Sequence, residues 1–372
     1  MIVPTAARDV AAVAGALLVL TAAVSVVSTV IIPRKTGSHL TRLVDRVVAV
    51  AFRLITRPAR KYELRDRLAA GQAAVILLVQ LALWLATFFV GFALLVWPLT
   101  PDITTAFSTV GPALWTFGSA EAHGFYEKAL LDTAAMTALV TVTLQIAYLP
   151  TLYAAFNRRE TQVALLNERA GSPSWGPELL ARTHYALGTG VSTLDTMPDL
   201  YAQWENWAAD VAESHTTYPV LVRFRSPGPL SSWVTALLAV LDSAALFLAL
   251  SPEAAPVVPA RLCLRGGFRC LNRIARVMGF DIPEEPGPDA GTSVTYAEFL
   301  DAVGRMREVG FPIERDPADA WPDFVGWRVN YEQAAYAVAA AVYAVPALWS
   351  GPRRLKVSPI APSRPGRGNP PK

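Results

Sequence analysis

Long runs of predominantly apolar residues dominate the first half of the chain. They cover Val10–Ile32, Gln72–Trp97 and Leu130–Phe156, and the only polar residues in the first run are threonines and serines. Each run is long enough to cross the hydrocarbon core of a bilayer as an α-helix. The first run is too long, and too poor in preceding basic residues, for a cleaved signal peptide. The pattern therefore predicts three transmembrane helices.

The distribution of charge around these runs predicts their orientation. Between Arg34 and Arg67 the chain has ten Lys or Arg residues and three Asp or Glu residues. Because short basic loops stay in the cytoplasm, this segment and the side that follows Phe156 are predicted to be cytoplasmic. The N-terminus and the segment Leu99–Glu121 then face outward across the plasma membrane. Basic segments beside apolar helices favour contacts with membrane lipids, and we expect no nucleic-acid partner.

Two later apolar runs, Trp233–Leu250 and Ala334–Trp349, have a different interpretation. Asp242 lies in the middle of the first of them, where a carboxylate is costly in lipid. If both runs were spans, the segment between them would be exported together with a row of arginines, against the charge rule. These arginines are Arg261, Arg265, Arg269, Arg273 and Arg276. We therefore expect both runs to be buried helices of a soluble helical domain.

Apolar residues recur at helical spacing in the rest of the chain, and no segment alternates as a β-strand does. Apolar residues make up 53% of the chain and charged residues 17%, with a mean hydropathy of +0.33, as in a membrane protein with a large soluble part. We expect an all-α membrane protein in which the first of three transmembrane helices is peripheral. The predicted order is an N-terminal transmembrane helix (1–33), a basic cytoplasmic linker (34–71), a pore-like module (72–156), a C-terminal helical cytoplasmic domain (157–351) and a disordered basic tail (352–372).

The sequence contains no motif of a common enzyme or nucleotide-binding domain. It has no phosphate-binding Gly-Lys-Ser/Thr loop and no His-Glu-x-x-His motif. Cys263 and Cys270 are its two cysteines, and their spacing favours reduced core residues on one helix face. The four histidines are too scattered to form a metal site with them. We therefore predict no enzymatic activity, no cofactor and no metal.

The segment Leu99–Glu121 is semi-polar and ends with the sequence Ala-Leu-Trp-Thr-Phe-Gly-Ser-Ala-Glu. A Ser/Thr-rich half-helix followed by a Thr-aromatic-Gly turn is typical of a re-entrant pore loop. Irregular backbone at membrane depth persists only where protein or a water-filled cavity satisfies its polar groups. The alternative is an ordinary extracellular loop of a non-conducting protein, and the sequence leaves both open.

Two apolar runs around a short helix and a Thr-x-Gly turn resemble the pore module of two-transmembrane potassium channels. The positions that match the selectivity filter of that family are Thr116, Phe117, Gly118, Ser119, Ala120 and Glu121. The resemblance covers roughly Gly71–Arg159 and implies rings of backbone carbonyls that bind a dehydrated monovalent cation. Ser119 and Ala120 stand where the family has an aromatic residue and a second glycine, so the resemblance does not specify potassium over sodium.

The resemblance also implies an assembly, because one loop per chain cannot enclose a central pathway. A working pore needs about four copies around an axis, and we expect a homotetramer. Thr141, Thr143 and Gln145 in the third run are candidates for the wall of an inner cavity. We therefore expect a cation-conducting, potassium-channel-like membrane protein. The alternative is a non-conducting, membrane-anchored scaffold whose helical cytoplasmic domain binds a partner.

Overall fold

A computed structural model describes residues 5–32, 39–59, 61–115, 122–185, 193–283, 285–287, 290–352 and 358–364. Within these ranges the chain forms thirteen α-helices and no β-strand. The helices are α1 (Thr5–Val30), α2 (His39–Thr56), α3 (Tyr62–Ala70), α4 (Gln72–Val96), α5 (Ile103–Trp115), α6 (Phe125–Ala170), α7 (Gly176–Tyr185), α8 (Met197–Thr217), α9 (Trp233–Leu250), α10 (Val257–Val277), α11 (Tyr296–Glu308), α12 (Pro317–Arg328) and α13 (Glu332–Ala341).

The chain divides into two compact units. Unit 1 comprises Met1–Ile55 and Gly71–Ala154, and unit 2 comprises Thr56–Ala70 and Ala155–Lys372. The segment 34–71, predicted as a linker, therefore contains two helices, and the second of them, α3, belongs to unit 2. The sequence pattern did not indicate this division, because α3 is charged and its attachment to unit 2 depends on residues far along the chain.

Among the described residues, four helical segments are long and apolar enough to cross a membrane, which suggests a membrane protein. They are Ala6–Val30, Tyr62–Leu99, Phe125–Ala170 and Trp233–Leu250. The first three are 22%, 33% and 28% buried over their most apolar windows, so they present most of that apolar surface outward. The fourth is 94% buried inside the protein and has almost no side chain left to present to lipid.

The first helix packs closely along α4 and is part of the core of unit 1. The two helices run antiparallel, because Gly15 lies against Gly91 while Ser25 accepts a hydrogen bond of 2.9 Å from the indole of Trp84. A β-carbon on Gly15 would lie 2.5 Å from the carbonyl oxygen of Gly91. The backbones can approach this closely only because both residues lack a side chain.

Unit 2 is built around α9. Five helices contact α9, namely α7, α8, α10, α12 and α13. Helix α11 packs on two of these five, α7 and α12. The run Ala334–Trp349 begins as α13, which is only 10 residues long and buries Ala335 and Val338 in this core. The apolar side chains of both late runs therefore pack in the core of unit 2.

Part of the predicted disordered tail is held against unit 2. The amide of Ile360 donates to the carbonyl of Pro346 at 2.6 Å, and Arg364 lies 3.3 Å from the carboxylate of Glu178. Glu178 is fully buried and also binds Arg182 and Arg305. Burial alone would raise the pKa of Glu178, but these hydrogen bonds and charges hold it below its ordinary value. Residues 358–364 of the predicted tail thus have defined partners in unit 2, and composition alone does not reveal the buried acceptor Glu178.

The close approach of α1 and α4 predicts that a side chain added at their crossing destabilises unit 1. We expect G15A and G91A each to lower the free energy of unfolding by about 1–3 kcal/mol, because the added carbon overpacks the contact. G71A is the matched control, since a β-carbon on Gly71 has no atom within 4 Å. Guanidinium unfolding in detergent, followed by circular dichroism, measures the difference. Equal destabilisation by all three substitutions would contradict the packing argument.

Candidate functional site

A short helix, α5, lies between two long apolar helices in unit 1. It has 13 residues and so rises about 20 Å, whereas the hydrocarbon core of a bilayer is about 30 Å thick. The preceding helix α4 ends at Val96 and the following helix α6 begins at Phe125. By its length, α5 cannot cross a membrane.

An aromatic contact holds α5 against α4. The ring of Phe89 on α4 lies 5.2 Å from that of Phe107 and 5.7 Å from that of Trp115, measured between ring centroids. The residues of α5 that are buried in the core of unit 1 are Ala106, Val110, Ala113 and Leu114. One face of α5 is therefore fixed on α4 over its whole length.

Two polar contacts fix the start of α5. The carboxylate of Asp102 accepts hydrogen bonds from the amide of Thr105 at 2.9 Å and from its hydroxyl at 3.0 Å, as a helix-capping residue does. The guanidinium of Arg8, at the start of α1, donates to the carbonyls of Thr100 at 3.2 Å and Pro101 at 2.7 Å. The turn between α4 and α5 is thus tied to the first helix.

The six positions of the predicted filter, Thr116, Phe117, Gly118, Ser119, Ala120 and Glu121, lie outside the described residues. Their flanks are described. Trp115, the last residue of α5, is half exposed. On the other side, the amide of His123 donates to the carboxylate of Glu127 at 2.9 Å, and this carboxylate is buried in the first turn of α6. Both flanks of the segment therefore end in ordered helices.

The predicted cavity residues do not share one face of α6. Thr141 and Gln145 are four residues apart and both are buried, and the hydroxyl of Thr141 donates to the carbonyl of Thr137 at 2.7 Å. Thr143 lies on the opposite side of the helix and is exposed. The side-chain oxygen of Gln145 has no hydrogen-bond partner. Thr141 and Gln145 can line a common surface, whereas Thr143 cannot join them.

Sequence reasoning missed a buried arginine at the start of the part of α6 that belongs to unit 2. Arg159 is fully buried, and its guanidinium donates to Glu160 at 2.7 Å and to the carbonyls of Leu221 and Phe224 at 2.9 and 2.8 Å. A fourth contact, of 2.9 Å, joins it to the ring nitrogen Nε2 of His215. Glu160 and the carbonyl oxygens together compensate this buried charge.

His215 is a neutral, buried partner of this arginine. The hydroxyl of Ser214 lies 3.0 Å from its other ring nitrogen, Nδ1, so both nitrogens are hydrogen-bonded. Burial, and secondly the positive charge of Arg159, hold the pKa of His215 well below 6.5. The imidazole therefore accepts a hydrogen bond from the guanidinium and stays neutral in the folded protein.

A second arginine in unit 2 holds α3. The guanidinium of Arg225 donates to Asp66 at 2.6 Å and to the hydroxyl of Tyr62 at 2.9 Å, both on α3. It also donates to the carbonyl of Tyr343 at 3.0 Å, and the guanidinium of Arg65 lies 4.4 Å from the centre of the Tyr343 ring. This contact explains why α3 belongs to unit 2 although it directly precedes α4.

A third arginine completes the core around α9. Arg328 is fully buried and forms an ion pair with Asp242, the carboxylate in the middle of α9. It also binds Glu332 at 2.6 Å and the carbonyl of Trp349 at 2.6 Å, while the hydroxyl of Tyr331 donates to Asp242 at 2.8 Å. The carboxylate that is costly in lipid is therefore paired within protein.

No protein-family model matches the chain, and no curated protein or solved structure matches it.

The burial of neutral His215 predicts that acid weakens unit 2. Below pH 6.5 the unfolded chain binds a proton at this imidazole, whereas the folded chain does not. The free energy of unfolding therefore decreases as the pH is lowered. The slope approaches about 1.4 kcal/mol per pH unit. We expect H215Q to remove most of this slope between pH 7.5 and 5.5, measured by denaturant unfolding in detergent. H39Q, which alters an exposed histidine, serves as the control and retains the slope. Equal slopes for H215Q and the unmodified chain would refute the assignment.

The pairing of Asp242 predicts a large loss of stability when its charge is removed. We expect D242N to cost about 3–5 kcal/mol, because Arg328 then keeps a buried charge that Glu332 alone must balance. D323N removes the acid of an exposed pair with Arg315 and should cost at most about 1 kcal/mol. Denaturant unfolding of both variants provides the comparison, and similar small losses would contradict the role given to Asp242.

Proposed function

We propose that the chain is one subunit of a channel-like membrane protein that conducts monovalent cations and is related to potassium channels. In this proposal α1, α4 and the first part of α6 cross the plasma membrane, the N-terminus lies outside, and unit 2 lies in the cytoplasm. The observation that carries the proposal is α5, a helix too short to cross a membrane, placed directly before Thr116.

The lengths of three consecutive helices support a re-entrant path. If α4 and α6 both cross the membrane, the end of α4 and the start of α6 must lie on the same side, because α5 cannot cross between them. The segment from Thr100 to Gly124 then begins and ends on that side. Fixation of α5 on α4 through Phe89, Phe107 and Trp115 supports a helix packed on its neighbour rather than a free loop.

The charge at this segment favours cations. The carbonyl end of an α-helix carries a partial negative charge of about half an electron, and the carbonyl end of α5 is directly followed by Thr116. Glu121 adds a carboxylate at the other end of the six residues, and in a tetramer the four copies form a ring. Backbone carbonyls from Thr116, Phe117 and Gly118 replace the water of the ion.

Replacement of one glycine tests the proposal. We expect G118V to abolish cation flux into liposomes that contain the purified full chain, because valine disfavours the backbone that aligned carbonyls require. G124V is the matched control in the same connection, since a β-carbon on Gly124 meets no atom within 4 Å. Potassium, sodium and chloride flux are compared in the same vesicles.

Three results would overturn the proposal. They are an absence of flux from the unmodified chain, a flux that G118V leaves unchanged, and a flux of chloride that exceeds those of both cations. A loss of flux in both glycine variants would assign the effect to folding, and circular dichroism of both variants in detergent separates that case.

A scaffold is the second candidate, and one observation favours it. Arg261, Arg265, Arg269 and Arg273 follow each other at four-residue spacing on α10, all are exposed, and none forms an ion pair with a described residue. Such a row suits an acidic partner protein. Assembly state distinguishes the candidates: a stable tetramer with cation flux favours the pore, and a monomer without flux that retains an acidic partner favours the scaffold.

A further inference from the structure

Helix α2 carries an apolar stripe that nothing within unit 1 covers. Leu43, Val47, Val50 and Leu54 recur at intervals of three or four residues, so they lie on one face, and each is between 49% and 61% exposed. Val44 and Val48, on the adjacent face, are buried. The helix is therefore attached to the protein by one face and presents a second apolar face, about 16 Å long, outward.

A row of arginines borders this stripe. Arg42, Arg46 and Arg53 are exposed and lie together on the side of α2 away from Val44 and Val48. Asp45 is the only acidic residue of the helix. An exposed apolar stripe edged by guanidinium groups is the arrangement of helices that lie in the interface of a membrane with anionic lipids.

The contact between α1 and α2 indicates what covers the stripe. The hydroxyls of Thr29, in the last turn of α1, and Thr41, in the first turn of α2, lie 3.0 Å apart. Helix α1 is one of the segments apolar enough to cross a membrane, and it ends one residue after Thr29. The start of α2 is therefore at the level where such a span leaves the hydrocarbon, which is the depth of the lipid headgroups.

We propose that α2 is an interfacial helix that binds the anionic lipids of one membrane leaflet. Leu43, Val47, Val50 and Leu54 enter the boundary between headgroups and acyl chains. Arg42, Arg46 and Arg53 extend along that boundary and bind lipid phosphate groups through charge-assisted hydrogen bonds. The proposal requires that α1 spans the membrane and is independent of ion conduction.

Labels at two positions of α2 test this placement in the full chain. A fluorescent thiol label is attached to V47C, on the stripe, or to A49C, on the opposite side of the helix. The natural cysteines, Cys263 and Cys270, are free but fully buried, so the introduced thiol is the one that reacts. The protein is reconstituted into vesicles of phosphatidylcholine, alone or mixed with phosphatidylglycerol.

We expect brominated acyl chains to quench the label at position 47 severalfold more than the label at position 49, and aqueous iodide to show the reverse order. The difference in quenching between the labels at positions 47 and 49 should be larger in vesicles that contain phosphatidylglycerol. In the variant R42Q/R46Q this difference should be the same in both vesicle types. Equal access of iodide to both labels would overturn the proposal. Protection of position 47 from both quenchers would also overturn it, and self-quenching between labels would identify a second copy as the occupant.

The comparison of V47C with A49C leaves every arginine in place, so it remains decisive if R42Q/R46Q fails to fold. Ion flux is not a readout of these measurements. A non-conducting chain with a deep label at position 47 would therefore refute the pore and leave the lipid site standing.

Discussion

The pairing of Asp242 with Arg328 is the interaction on which unit 2 depends. Helix α9 is apolar enough to suit the interior of a bilayer, and Asp242 is the one charged residue in it. A buried carboxylate needs a partner of opposite charge and further hydrogen-bond donors. Arg328 and Tyr331 provide both, and they lie on either side of the junction between α12 and α13. The ion pair thus fixes which turns of the later helices can face α9.

Buried and partly buried arginines recur as polar contacts between distant segments of this helical unit. Arg159, Arg225 and Arg328 each bind one or more carboxylates together with main-chain carbonyls of a segment distant in sequence. A guanidinium offers five donors in a rigid plane, so one side chain can join an acidic residue and the ends of two helices or turns. A lysine, with one ammonium group, could not reach the same set of acceptors.

Hydropathy predicted the apolar helices well, because their composition is a local property. Val10–Ile32, Gln72–Trp97 and Leu130–Phe156 all lie largely within helices. Packing partners were not predictable in this way. The contact of α1 with α4 depends on Gly15 and Gly91, which are only two of 23 glycines, and no local pattern selects them.

Residues that look alike in sequence also differ in environment. Arg158 and Arg159 are adjacent and both directly follow the third apolar run, yet the first side chain is largely exposed and the second is fully buried. Their difference arises from the 100° step of the helix and from carbonyls about sixty residues later. A distant partner also decides the environment of Arg364. Its local composition is typical of a disordered tail, whereas Glu178 provides a buried acceptor for it.

The two cysteines of α10 make the opening of this core measurable by thiol modification. Burial raises the pKa of both thiols, that of Cys270 to about 12, so almost no thiolate exists at neutral pH and neither sulfur meets solvent. A thiol reagent can modify them only when α10 separates from α8 and α9. The rate of modification therefore equals the intrinsic rate multiplied by the open fraction, and it reports the opening of this core under native conditions.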